Sequence, residues 1–90
     1  MATIMIVHEV EDVDDWLESG VRNELMGRLG ITGQLFTDPA KTNRVGLLLD
    51  VPDMNAFHEL LESDEGAEAM RHDGVRPDTV VLLEQAADQV

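Results

Sequence analysis

The stretch RVGLLLDV, residues 44–51, decides the fold. Read as a strand, it places Val45, Leu47, Leu49 and Val51 on one face and Gly46 and Leu48 on the other. An antiparallel sheet with one face in water alternates apolar and polar residues cleanly. This strand does not alternate. A second run, TIMIVHEV at residues 3–10, behaves the same way. Ile4, Ile6, His8 and Val10 share one face, and Met5 and Val7 lie on the other before Glu9 ends the run. Strands that are apolar on both sides belong in the middle of a sheet that is covered twice.

Moving outward from these strands, ITGQLFTD (residues 31–38) reads as a third strand. It is joined to residues 44–51 by the turn-forming PAKTN, so the two pair as an antiparallel hairpin. Between the first two strands, residues 13–29 carry Val13, Trp16, Leu17, Val21, Leu25 and Leu29 at helical spacing. Asp12 caps that helix, and Gly30 suits its exit. Pro52 and Asp53 open a second helix with Met54, Phe57, Leu60 and Leu61 inward. Ser63 breaks it and recaps a continuation that stops at Gly74. Residues 78–85, DTVVLLEQ, form the last strand, and residues 86–90 are expected to fray. The order β-α-β-β-α-β is the ferredoxin-like pattern of the α+β class, as one domain over residues 1–90. Two helices cover one face of a four-stranded sheet. A second copy of the chain, related by a twofold axis, is expected to cover the other.

The charge narrows the choice of partners. Nineteen acidic residues against 6 basic give a net charge of −13, which excludes nucleic acid and anionic membranes as expected partners, since both are held by Lys and Arg. Lys41 is the only lysine, a balance that suits a salt-rich cytoplasm or a GC-rich genome. Without cysteine, the chain has no disulfide, thiolate nucleophile or thiolate metal site. The apolar run at residues 4–7 is too short for a signal segment or a membrane span, so a cytoplasmic location is expected.

Three segments carry a resemblance: VHEVEDVDDW (7–16), GITGQLFTDPAKTNRVGLLLDVPDMNAFHELLES (30–63) and AMRHDGV (69–75). They resemble small proteins of the dimeric α/β-barrel superfamily. These are the antibiotic-biosynthesis-monooxygenase-like domains, and within them a branch of unassigned function with a strand histidine, an acidic turn and a first-helix aromatic. The resemblance implies two ferredoxin-like protomers packed sheet to sheet into a barrel. It also implies a small pocket in each protomer between sheet and helices. The superfamily includes cofactor-free monooxygenases, lactone isomerases, haem-degrading enzymes and polyketide cyclases, and a shared fold does not choose among them.

His8 is the candidate acid/base, because imidazole titrates near neutrality. The bland alternative is a strand histidine bonded to a carbonyl or an acid. Trp16, Phe36 and Phe57 are expected to shape the pocket, with His58 at its edge. His72 suits a helix C-terminus. The three histidines match no compact metal motif, so neither a metal nor a cofactor is expected. Arg44 and Arg76 are read as reaching an acidic substrate or an inter-subunit salt bridge. Three functions follow. The first is a cofactor-independent monooxygenase- or cyclase-like enzyme acting on a small apolar or aromatic molecule. The second is a non-catalytic dimeric binding or assembly module. The third is a haem-binding or haem-degrading protein with His58 as axial ligand.

Overall fold

The apolar periods resolve into alternating strands and helices. A computed structural model describes residues 2–87; Met1 and residues 88–90 lie outside it, and with them most of the expected frayed tail. The elements are β1 (Ala2–Glu9), α1 (Val13–Leu17), α2 (Gly20–Arg28), β2 (Thr32–Thr37), β3 (Arg44–Val51), α3 (Met54–Glu62), α4 (Asp64–His72), a 3₁₀ turn (Pro77–Thr79) and β4 (Val81–Glu84). The strands form one antiparallel sheet in the order β2-β3-β1-β4. This is the expected ferredoxin-like arrangement, with the doubly apolar strands in its centre.

The first crossover departs from the expectation of one helix over residues 13–29. The chain breaks at Ser19, whose hydroxyl accepts the Arg22 N–H at 3.1 Å and starts α2 afresh. The break resets the helical phase. Val21, expected inward, is only half-buried, while Arg22 and Leu25 turn inward and are buried. The second crossover follows the reading. Ser63 ends α3 by donating to the Leu60 carbonyl at 2.6 Å and caps α4 by accepting the Gly66 N–H at 3.0 Å. Gly66 has no room for a side chain, since a Cβ would collide with the Leu60 carbonyl oxygen. The last strand is shorter than expected because Pro77 opens the 3₁₀ turn first.

Register assigns each residue to a face. Toward the helices lie Ile4, Ile6 and His8 of β1, paired with Leu49, Leu47 and Val45 of β3. Trp16, Ile31 and Phe57 close over them to form the core. On the opposite face, Val7 pairs with Gly46 and Val81, Met5 with Leu48 and Leu83, and Phe36 with Gly46. None of the described residues covers this side. Met5, Phe36, Val81 and Leu83 are 43%, 50%, 52% and 53% exposed. The edge strand β2 is exposed at every residue.

Candidate functional site

β1 delivers His8 to the helix-covered face because it lies two residues beyond Ile6, in step with the core row. α1 begins five residues later, at Val13, capped by the Asp12 carboxylate, which accepts the Asp15 N–H. Its one buried residue is Trp16. The two rings meet edge to face with centroids 5.8 Å apart. Phe57, fully buried on α3, completes the aromatic wall. Together with Leu47, Leu60 and Met70 these residues enclose a cavity of about 120 Å³ between sheet and helices. An apolar cavity of ~150 Å³ accommodates benzene, so this one, slightly smaller and partly open, is of the order of one small ring.

His8 is 5% exposed, and its Nδ1 is buried with no hydrogen-bond partner among the described residues. Buried polar atoms normally have partners, so an orphaned one in a cavity wall is a notable feature. Burial lowers the His8 pKa from its ordinary 6.5, the Arg22 charge adds to the lowering, and the Glu9 backbone and Asp73 pull the other way. At neutral pH the ring is therefore a neutral imidazole with a nitrogen to spare.

Two further polar side chains line the cavity, and sequence reasoning missed both: Arg22 and Asp73. They come from the start of α2 and the residue after α4. Each is 7% exposed. Arg22 Nη1 donates to the Trp16 carbonyl at 2.6 Å and Nη2 to the Leu17 carbonyl at 3.4 Å, while its guanidinium lies 4.8 Å from the Trp16 ring centroid. Asp73 Oδ2 stands 3.6 Å from Nη1, and its Oδ1 lies 3.2 Å from His72 Nδ1. The signal in the sequence was Ser19-Gly20, the cap and break that rotate Arg22 inward. Asp73 is 51 positions from Arg22, and no local period announces the pair.

Two expected pocket residues do not belong to this cavity. Phe36 lies on the uncovered side of the sheet, because its pairing with Gly46 puts it in the Val7 row and leaves Leu35 on the helix side. His58 follows Phe57 by one position, about 100° around the helix, and is exposed, with its ring tilted against Phe57 at 6.5 Å. The cavity is also far smaller than a haem, and His58 does not face it, so the axial-ligand expectation has no geometry behind it here. Arg76, expected to reach a substrate or another subunit, is held within the chain by Glu9 at 3.1 Å and Glu11 at 3.1 Å. The same contact holds the Glu11 carboxyl below the usual range.

No family model and no curated protein matches the chain. Solved structures do. An antibiotic biosynthesis monooxygenase superposes with a TM-score of 0.62 at 11% identity, covering 99% of this chain and 100% of that one. A dimeric ferredoxin-like protein of unknown function from Jannaschia sp. CCS1 gives 0.60 at 14% identity, covering 97% of this chain and 100% of that one. A candidate antibiotic biosynthesis monooxygenase from Deinococcus radiodurans gives 0.54 at 12% identity, covering 100% of this chain and 95% of that one. At such identities the likeness is one of fold. The chain has the ferredoxin-like fold of the antibiotic-biosynthesis-monooxygenase-like proteins, as its residues had suggested.

Proposed function

We propose that the chain pairs sheet to sheet with a second copy, and that each protomer's helix-side cavity takes a small aromatic molecule whose weakly acidic proton passes to His8. The observation that carries the chemistry is the buried imidazole whose Nδ1 has no partner among the described residues, set against Trp16 in the wall of a small cavity. A base in that state accepts a proton from a phenol or enol held against it. The carbanion or phenolate so formed is the species that cofactor-free oxygenation and cyclisation both start from. The chain's part in either is to orient the molecule and remove its proton.

The pairing has independent support. A monomer of 10.0 kDa is expected to expose about 5,200 Å², whereas this protomer exposes 6094 Å². The protomer thus exposes more than a compact monomer of its mass, as a chain with one uncovered face does. The uncovered sheet face measures roughly 19 Å by 20 Å and, Gln34 apart, is apolar over both central rows, at the upper end of what monomers leave in water.

The test follows the His8 ring protons by NMR, in salt, as p-cresol is added. The reading expects the ring signals to shift and to show contacts both to the Trp16 indole and to the added ring. A His8 signal indifferent to millimolar cresol sinks the catalytic reading and leaves a dimeric assembly module. Sedimentation of the same sample tests the pairing separately, and a monomer at micromolar concentration counts against it.

A further inference from the structure

We infer that Arg22 selects the form of the ligand: the cavity holds its aromatic occupant as an oxyanion, a phenolate or enolate, with the oxygen against the Arg22 guanidinium and with Asp73 as the positioning residue behind it. This rests on the cavity being a ligand pocket, as proposed above, and goes beyond it by naming the group that holds the anion and favours it over the neutral ligand.

Three observations carry the inference. First, Arg22 and His8 line the same cavity and both pack against Trp16, with the indole 4.8 Å from the guanidinium and 5.8 Å from the imidazole. Second, Arg22 has donors to spare. Its two side-chain hydrogen bonds use two of five N–H groups, and the Asp73 carboxylate at 3.6 Å stands beyond hydrogen-bond distance. Third, the pair is a poor stabiliser. A buried ion pair roughly breaks even against well-packed apolar residues, and this one lacks the close bidentate geometry that would favour it. Securing the last carbonyls of α1 explains two of the guanidinium's donors. It does not explain a charge in the wall of an otherwise apolar cavity.

The proton balance is simple. The ligand O–H breaks, an N–H forms on His8, and the electron pair stays on oxygen. The products are an imidazolium and an oxyanion. Beside Arg22 alone, a protonated His8 faces a like charge; with the oxyanion between them, both cations face an anion. Asp73 limits the attraction, and the exposed His72 on its far oxygen shares it.

4-Nitrophenol tests this directly, since its free acid ionises near neutrality and its phenolate is coloured. 4-Nitroanisole is the same ring without the ionisable proton. With the wild-type chain, bound 4-nitrophenol is expected to ionise at lower pH than the free compound, the phenolate binding roughly tenfold more tightly than the phenol. 4-Nitroanisole is expected to bind at least tenfold more weakly than 4-nitrophenol at neutral pH. Asp73→Asn is expected to lower the bound ionisation pH further, because it removes the carboxylate that limits the attraction. Arg22→Met is expected to raise it above the free value, because a buried anion without its cation is disfavoured. Should that variant fail to fold, the wild-type titration decides alone. A bound probe that ionises at higher pH than the free one, or a nitroanisole that matches the phenol, overturns the role of Arg22 and leaves the pocket standing. If neither compound binds, both the pocket and this inference fall.

Discussion

The two faces of the sheet carry the same kinds of residue and differ in what touches them. On the helix side, Ile4, Ile6, Leu47 and Leu49 are each no more than 8% exposed. On the other, Met5, Phe36, Val81 and Leu83 are each at least 43% exposed. Hydrophobicity alone does not distinguish them, since both faces are apolar over the central strands. The helix side holds every buried polar side chain the site uses (His8, Arg22 and Asp73), whereas the open side has only Gln34 in its central rows. One face surrounds a small cavity with three polar side chains in its wall. The other is a flat, largely apolar plane.

The largest expected effect breaks the helix side. Phe57 is 0% exposed, and Phe57→Ala is expected to cost about 3–5 kcal/mol. That is a large share of what a domain of this size has, so the urea midpoint is expected to drop steeply or the fold to be lost. The corresponding change on the open side should leave the fold intact. Leu83→Asp is expected to leave the protomer's far-ultraviolet spectrum unchanged and to weaken association. Each interface contact counts twice about a twofold axis, so a loss of roughly 2 kcal/mol or more follows. Read by sedimentation, this is about a thirtyfold rise in Kd. If Leu83→Asp instead unfolds the chain without changing association, the two faces are not distinct in the way described.

Much of this contrast was legible in the residues. The hairpin of β2 and β3, the double apolarity of β1 and β3, and the recapping at Ser63 all follow from local patterns. Ser19 carries the same capping chemistry as Ser63, followed directly by a glycine, yet the apolar spacing of residues 13–29 concealed the break. Arg22 was lost with it, because a continuous helix points Val21 inward instead. Phe36 was assigned to the wrong side because Leu35 and Phe36 are both apolar, and only the pairing of Phe36 with Gly46 settles which faces the helices. Asp73 was invisible for another reason: its partner is distant in the chain, and ion pairs leave no period.

The smallest effect sharpens the polar point of the helix side. The folded His8 pKa lies below the ordinary 6.5, with burial as the largest cause. As pH falls through about 6.5, the unfolded chain therefore takes up this proton before the folded one does. Stability from this group is full above that pH and declines on acidification until the folded ring also titrates. His8→Gln removes the term. Urea midpoints measured from about pH 7 to about pH 5 are expected to fall less for the variant than for the wild type. Parallel slopes would mean that the imidazole is not shielded as its position indicates.

α1 is five residues long, too short to persist as a helix by its own hydrogen bonds. It stays in place because the Trp16 side chain is sunk in the core and the Arg22 guanidinium grips its last two carbonyls. The wall of the cavity and the anchor of this helix are thus the same two side chains. If the cavity is filled as proposed, its occupant is expected to lengthen the lifetime of one turn of backbone, and amide hydrogen exchange at residues 16–18 is the clock that reads it.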